Sequence, residues 1–540
     1  MRRIGLALAL LFLGCLLVAL PTAADGGPPI DEKLLVKIDP TLLRELEQSP
    51  DGTATFLVYL GGQADLSPAA SIASPAARGR WVYDALRAHA GQSQAGIRAY
   101  LATAQRAGRV RAFTSFWIVN GLSVTADAAV LWDLAARDEV DHIIPERTYT
   151  LTVGAQHAAP LPEAVEWNIA QIHADDVWAT YGITGTGVLV ANIDSGVLFT
   201  HPALASQYAG NSGGSLDHNY HWFDSVNGGT TPYDDNGHGT HTMGTMVGDD
   251  APPGGGVGTN QIGVAPGARW IAVKAFSAAG TGSSTDLHEA FQWVLAPCDS
   301  SGANCDPARA PRIVSNSWGH PDGSRTEFLP DVQALRAAGI WPVFSAGNDG
   351  PGVGTVGSPA SYAEAFAVGA TDSGDLIASF SSRGPSPLTA DTKPDVTAPG
   401  VAVRSASNDG GYVEHNGTSM ACPHVAGVGA LLLSAEPNLE LDQVEELITS
   451  TALDLGDPGP DMTYGYGRID ALAAMRRLLS SGHLTGVVRD AGSSQPIPSA
   501  AVRVQGMGYD LDYVAGASGV YSATYLLAGT YTVTASYYGY

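Results

Sequence analysis

Val188-Leu189-Val190-Ala191-Asn192-Ile193-Asp194-Ser195-Gly196-Val197 is a nearly unbroken apolar run delivering a carboxylate at its end. A short run without polar alternation suits a strand covered on both faces, the habit of parallel sheets flanked by helices. Comparable runs recur at Arg269–Ala275, Ile313–Ser317, Trp341–Ser345 and Phe366–Ala370, with Ala-rich helical segments between them. That alternation predicts an α/β domain on a parallel sheet, from about Trp167 to Leu479. Open sheets of this kind hold their sites at the C-terminal strand ends, where Asp194 stands.

The chain has 540 residues, more than one core accommodates, and about 150 residues per domain suggests three or four units. Ahead of the α/β unit, residues 53–150 carry a strand-like run at Thr55–Leu60 and a helix at about Ala76–Ala107. An alternating β run at Val110–Val124, a short helix near Ala126–Ala136 and a β run near Val140–Tyr149 follow. The order β-α-β-β-α-β describes a small α+β domain. Residues 151–166 form a linker, whose passage Thr152–Pro162 reads as exposed and open to cleavage. Residues 484–540 alternate again, at Val502 and Val504 and at Tyr531, Val533 and Ala535, and predict a small β-sandwich. The last strand-like run stops at the end of the sequence, which leaves open whether this domain continues beyond Tyr540.

Arg2 and Arg3 precede an apolar stretch, Ile4–Leu20, and the small residues Thr22, Ala23 and Ala24. This is the order of a secretory signal peptide, residues 1–24, and places the protein outside the cell; the export route stays open. A net charge of −25 argues against nucleic acid, because phosphate binding needs a basic surface. In an oxidising compartment Cys298 and Cys305, which bracket a polar turn, are expected to close a short disulfide loop. Cys422 then reads as a buried free thiol.

Peptide hydrolysis by serine needs a hydroxyl, an imidazole to take its proton, and a carboxylate to hold the imidazole. Three passages supply one each: Asp194 at its strand end, His238 in Asn236-Gly237-His238-Gly239-Thr240-His241, and Ser419 in Asn416-Gly417-Thr418-Ser419-Met420-Ala421-Cys422-Pro423-His424. Ser419 leads into an apolar helix, with Pro423 expected in its first turn. Singly, each is more often a cap or a packing residue. Together, in the order Asp, His, Ser, they match one of the few arrangements seen among serine hydrolases. The neighbours Asp234 and Asp235 offer an acid pair, while His241 and His424 read as packing or hydrogen-bonding groups. His288-Glu289 lacks the second histidine of a zinc motif, having Gln292 in its place. No metal-ligand set is identified.

The three passages resemble the signature segments of the subtilisin family of serine peptidases, and within it the bacillopeptidase F-like enzymes. Trp167-Asn168, Ile172, Val177-Trp178, Gly185-Thr186-Gly187-Val188, His201-Pro202, His221-Trp222-Phe223-Asp224 and the Cys298/Cys305 loop extend the match. The resemblance implies that Asp194 orients, His238 acts as base and then acid, and Ser419 attacks, and it makes Asp234 and Asp235 loop residues preceding His238. It makes Ser345-Ala346-Gly347-Asn348 the oxyanion segment, with Asn348 and the Ser419 amide as donors. Ser317-Trp318-Gly319 and the segment holding Gly280 and Gly282 become the two edges between which a substrate lies as an added strand. Residues 53–150 then correspond to an inhibitory propeptide, cleaved off within about 149–163. The tail resembles a carboxypeptidase regulatory-like domain, implying attachment to a cell surface or matrix. The expected protein is therefore a secreted serine endopeptidase made as an autoprocessed zymogen, monomeric when mature. Its partners are protein or peptide substrates and its own propeptide. The chemistry requires no cofactor, and structural calcium is left open. A neutral imidazole is required, so activity is expected to fall in mild acid. The rival reading is an inactive peptide-binding or adhesion protein on the same scaffold.

Overall fold

The computed structural model describes residues 32–151, 157–158, 165–251, 258–506, 509–526 and 528–537. The expected signal peptide and most of the 151–166 linker lie outside the described residues. Seven parallel strands form the central sheet, in the order Trp222–Asp224, Arg269–Lys274, Leu189–Asp194, Ile313–Asn316, Trp341–Ser345, Phe366–Thr371, Val396–Pro399. Five are the runs expected from sequence. The other two are the edges, three and four residues long, and one ends on a proline. Edge strands are where proline and short length are tolerated, so neither carries the long apolar signature of a central strand.

Successive side chains of each strand face opposite layers. Val190, Trp270, Trp341 and Val368 join helices Ala174–Tyr181, His238–Val247, Thr418–Ala435 and Ala471–Leu479 in one core. Ile193, Ile271, Val314 and Phe344 join Ser284–Leu295 and Leu329–Ala338 in the other. This is the subtilisin-like α/β arrangement, with helices on both faces. The chain visits one side of Leu189–Asp194 before crossing to the other, where Ile313–Asn316 pairs with it. That reversal opens a crevice at the strand ends.

The N-terminal unit is a four-stranded antiparallel sheet in the order Val110–Phe116, Gly121–Asp127, Thr53–Leu60, Val140–Pro145. The helix expected as one piece is two, Pro75–Ser93 and Ala95–Arg106. Gln94 stands between them, its side chain buried and its Nε2 donating to Phe116 O at 2.7 Å. The core also takes in Leu42 and Leu46 from helix Pro40–Gln48, so this unit begins ahead of residue 53. It docks through Tyr59, Phe116 and Val119, which share a core with Phe291 and Phe328 of the α/β domain. In the tail, Gly482–Val487 pairs with Val520–Leu526, and Tyr509–Val514, Ala501–Gly506 and Thr532–Ser536 form a second sheet. Val502, Val504, Ala523 and Leu526 fill the space between them, a small β-sandwich.

Candidate active site

Asp194 is the last residue of its strand and His238 the first of its helix. The two elements meet almost backbone to backbone, because a Cβ on Gly239 would lie 2.1 Å from Gly196 O. Gly237 supplies the turn into the helix at φ 102, a conformation that favours glycine. Asp194 Oδ1 accepts from the Ser195 amide and from His238 Nδ1, each at 2.7 Å, while Thr242 Oγ1 donates to Oδ2 at 3.2 Å. Both side chains are wholly buried. A donating Nδ1 leaves Nε2 as the acceptor of the neutral ring. Among the described residues that Nε2 is buried without a hydrogen-bond partner.

Ser419 is the second residue of helix Thr418–Ala435, which packs along helix His238–Val247. Its hydroxyl departs from the expected pose: Oγ donates to Ser317 O at 3.1 Å rather than to His238. A second contact between the same two residues traces to Pro423, four residues on. The helix starts at Thr418, so Pro423 is its sixth residue and lies beyond the first turn where the sequence had placed it. A proline there brings no N–H to the carbonyl of residue 419. Ser317 Oγ donates to Ser419 O instead, at 2.9 Å, and the two serines exchange hydrogen bonds across the cleft. Rotation about the Ser419 Cα–Cβ bond is what frees Oγ from this exchange.

Asn348 follows strand Trp341–Ser345 by three residues. Its Oδ1 accepts from the Thr418 amide at 2.9 Å and the Thr418 hydroxyl at 3.0 Å, which fixes the carboxamide against the start of the serine helix. In the first turn of that helix the Thr418 amide is thus taken by Asn348, and the Met420 amide donates to Gly417 O at 3.0 Å. A cavity of about 60 Å³ opens there, walled by Ser317, Trp318, Gly319, Asn348 and Ser419.

Two supporting residues were missed at the sequence level. Asp234 accepts from Ser195 Oγ (2.9 Å), the amides of Asn236, Gly237 and Thr240, and Thr240 Oγ1 (2.7 Å), and so shapes the loop into His238. The turn-forming run Asp234-Asp235-Asn236-Gly237 is the signal that points to it. Lys274, opposite Asp194 in the sheet, is wholly buried; its Nζ donates to Ser195 O (2.8 Å), Phe276 O (2.8 Å) and Asp235 Oδ1 (2.6 Å). A lone lysine ending an apolar run gives no such hint.

The edge segments are occupied by the chain itself. Strand Thr148–Thr150, at the end of the N-terminal unit, pairs antiparallel with Thr281–Ser283, setting Tyr149 against Gly282. The Leu151 amide donates to Gly280 O at 2.9 Å, and Thr150 bridges to Gly319 on the other side. Cys298 and Cys305 are joined in a disulfide, and Cys422 is a buried free thiol that burial pushes up to about 11. His241 Nε2 meets Val403 O and Val413 O, while His424 is held between Met420 O and Asn168; burial pushes His424 down to about 4. His415 stacks on His241 at 4.4 Å and is likewise pushed down to about 4 by burial, then by the nearby His238. Among the described residues no group of three or more His, Cys, Asp or Glu is placed to hold a metal.

The subtilase family model matches residues 185–467. Bacillopeptidase F of Bacillus subtilis (strain 168) is 41% identical over 438 residues, which is 77% of this chain and 30% of that protein. The chain thus spans under a third of that relative's length. Subtilisin E of the same organism is 34% identical over 378 residues, 68% of this chain and 84% of that protein. M-protease of Shouchella clausii (strain KSM-K16) is 33% identical over 339 residues, 63% and 77% respectively. With the Asp–His pair at the sheet's crevice and a family match across more than half its length, the chain belongs to the subtilase family of subtilisin-type peptidases.

Proposed function

We propose that this chain is a secreted serine endopeptidase made as an inactive precursor, cutting protein substrates through an acyl-enzyme on Ser419. The observation that carries the reading is the Asp194–His238 pair at 2.7 Å, its Nε2 without a hydrogen-bond partner among the described residues, together with the chain's own Thr148–Thr150 paired to an edge segment as a substrate would be. Ser419 Oγ turns from Ser317 O toward His238 Nε2 and attacks the scissile carbonyl as the imidazole takes its proton. Asp194 stabilises the imidazolium, and the Asn348 and Ser419 N–H groups receive the oxyanion. His238 returns the proton to the leaving amine, and water activated by the same nitrogen releases the acid.

The N-terminal unit acts as the inhibitory propeptide, and maturation cuts the linker shortly past Leu151, inside the 149–163 window. Export rests on the signal-peptide pattern of residues 1–24, and the β-sandwich tail is assigned to surface or matrix attachment. One experiment tests the core of this reading. Purified precursor and a Ser419→Ala version are incubated in parallel, exposed to a fluorophosphonate probe, and their termini read by mass spectrometry. Labelling and cleavage in the first alone are expected. No labelling and equal processing in both sinks the peptidase reading and favours a peptide-binding scaffold.

A further inference from the structure

Within the strand that fills the cleft, Tyr149 is 1% exposed. Its ring meets Phe328 at 5.1 Å, His320 at 5.9 Å and Trp318 at 6.0 Å, the last two edge to face. Its hydroxyl reaches the bottom of this aromatic box and donates to Glu327 Oε2 at 2.9 Å. The Glu327 side chain is 1% exposed, and among the described residues its Oε1 has no hydrogen-bond partner. The nearest cation is Arg147, whose Nη1 stands 3.5 Å from Oε2. Both groups that satisfy this carboxylate, Tyr149 and Arg147, come from the N-terminal unit and would leave with it.

A buried carboxylate is an unusual floor for an aromatic box. Ring burial alone calls for an apolar floor, and a charge placed there is costly unless it is hydrogen-bonded. A phenylalanine would fill nearly the same volume as tyrosine but would expel water from Glu327 without replacing its hydrogen bond. A site built to bond a hydroxyl rejects the analogue lacking it far more strongly than an apolar pocket rejects a change of one methylene. We propose that Glu327 is a specificity-determining residue of the mature chain, selecting substrates that present a tyrosine, rather than a phenylalanine or an aliphatic residue, where Tyr149 now sits. This deepens the peptidase reading and rests on it.

The test uses the matured wild-type chain and fluorogenic peptides copying residues 147–155, with tyrosine, phenylalanine or leucine at the position of Tyr149. The tyrosine peptide is expected to exceed the phenylalanine peptide in kcat/KM by roughly 10- to 100-fold, with leucine lower still. In Glu327→Leu the tyrosine-to-phenylalanine ratio should fall to about one or invert, and Glu327→Gln, which keeps an acceptor, should retain part of it. Fluorophosphonate titration counts folded sites in each variant. Equal cleavage of the tyrosine and phenylalanine peptides by wild type overturns the inference while leaving the peptidase reading intact. Loss of the ratio in wild type needs no folded variant, so the proposal stays decidable if Glu327→Leu does not fold. Failure to label Ser419 at all would instead strike the peptidase reading.

Discussion

Asp194–His238 and Asp331–His288 are the same two groups at nearly the same separation, 2.7 and 2.9 Å, with all four side chains shut off from solvent. They differ in what meets the second ring nitrogen. His288 Nε2 is engaged by the Tyr59 hydroxyl at 3.0 Å, and the ring is walled by Phe116 and Phe328. His238 Nε2 is buried and, among the described residues, meets no hydrogen-bond partner. Tyr59 belongs to the N-terminal unit, so the Asp331 pair works as a polar clamp between two parts of the chain. Burial, then the charges of Glu327 and Asp331, hold the Tyr59 phenol well above its ordinary range, so it stays protonated. A carboxylate–imidazole pair is therefore not a base by virtue of its own geometry. On the proposed function it becomes one where its outer nitrogen is unclaimed, a hydroxyl turns to it, and N–H groups receive the charge that develops.

The contrast is broken most severely at the two histidines. His238→Ala should lower turnover by about 10⁶-fold, while His288→Ala should leave fluorophosphonate labelling of the folded chain in place and weaken the hold on the N-terminal unit; comparable losses of labelling in both would erase the distinction. Asn348→Ala should reduce kcat by about 10²–10³-fold with little change in KM, measured on any peptide the parent cuts. A KM effect alone would move Asn348 from the oxyanion to the ground state. Tyr59→Phe leaves His288 Nε2 buried and unpaired, and should cost about 1–3 kcal/mol. Denaturant unfolding of a Ser419→Ala precursor, in which the N-terminal unit stays attached, would read that loss. The mildest test concerns rigidity beside the open nitrogen. With its pKa pushed up to about 11 by burial, Cys422 is almost wholly thiol at pH 8 and should resist a disulfide reagent until the chain unfolds. Rapid labelling of the native protein would mean that the serine helix opens.

The five inner strands were legible because burial on both faces leaves an unbroken apolar run, and the two edge strands were not, because three or four residues ending on Asp224 or Pro399 carry no such run. Asp194, His238 and Ser419 stood out through their placement at strand and helix ends among glycines. Their supports did not. Asp234 and Lys274 act through pairings that only the folded sheet creates, and Tyr59, His288 and Asp331 meet from three separate segments. The rotamer of Ser419 was equally hidden, since it depends on Ser317, a hundred and two residues away.

That exchange between Ser317 and Ser419 has a mechanical side. The carbonyl orphaned by Pro423 is fastened by a side chain belonging to the opposite lip of the groove, so the proposed nucleophile and the proposed substrate wall are bolted into one part. Redesigning the lip at Ser317 would slacken the bolt, and selectivity and turnover would shift in gear rather than one at a time.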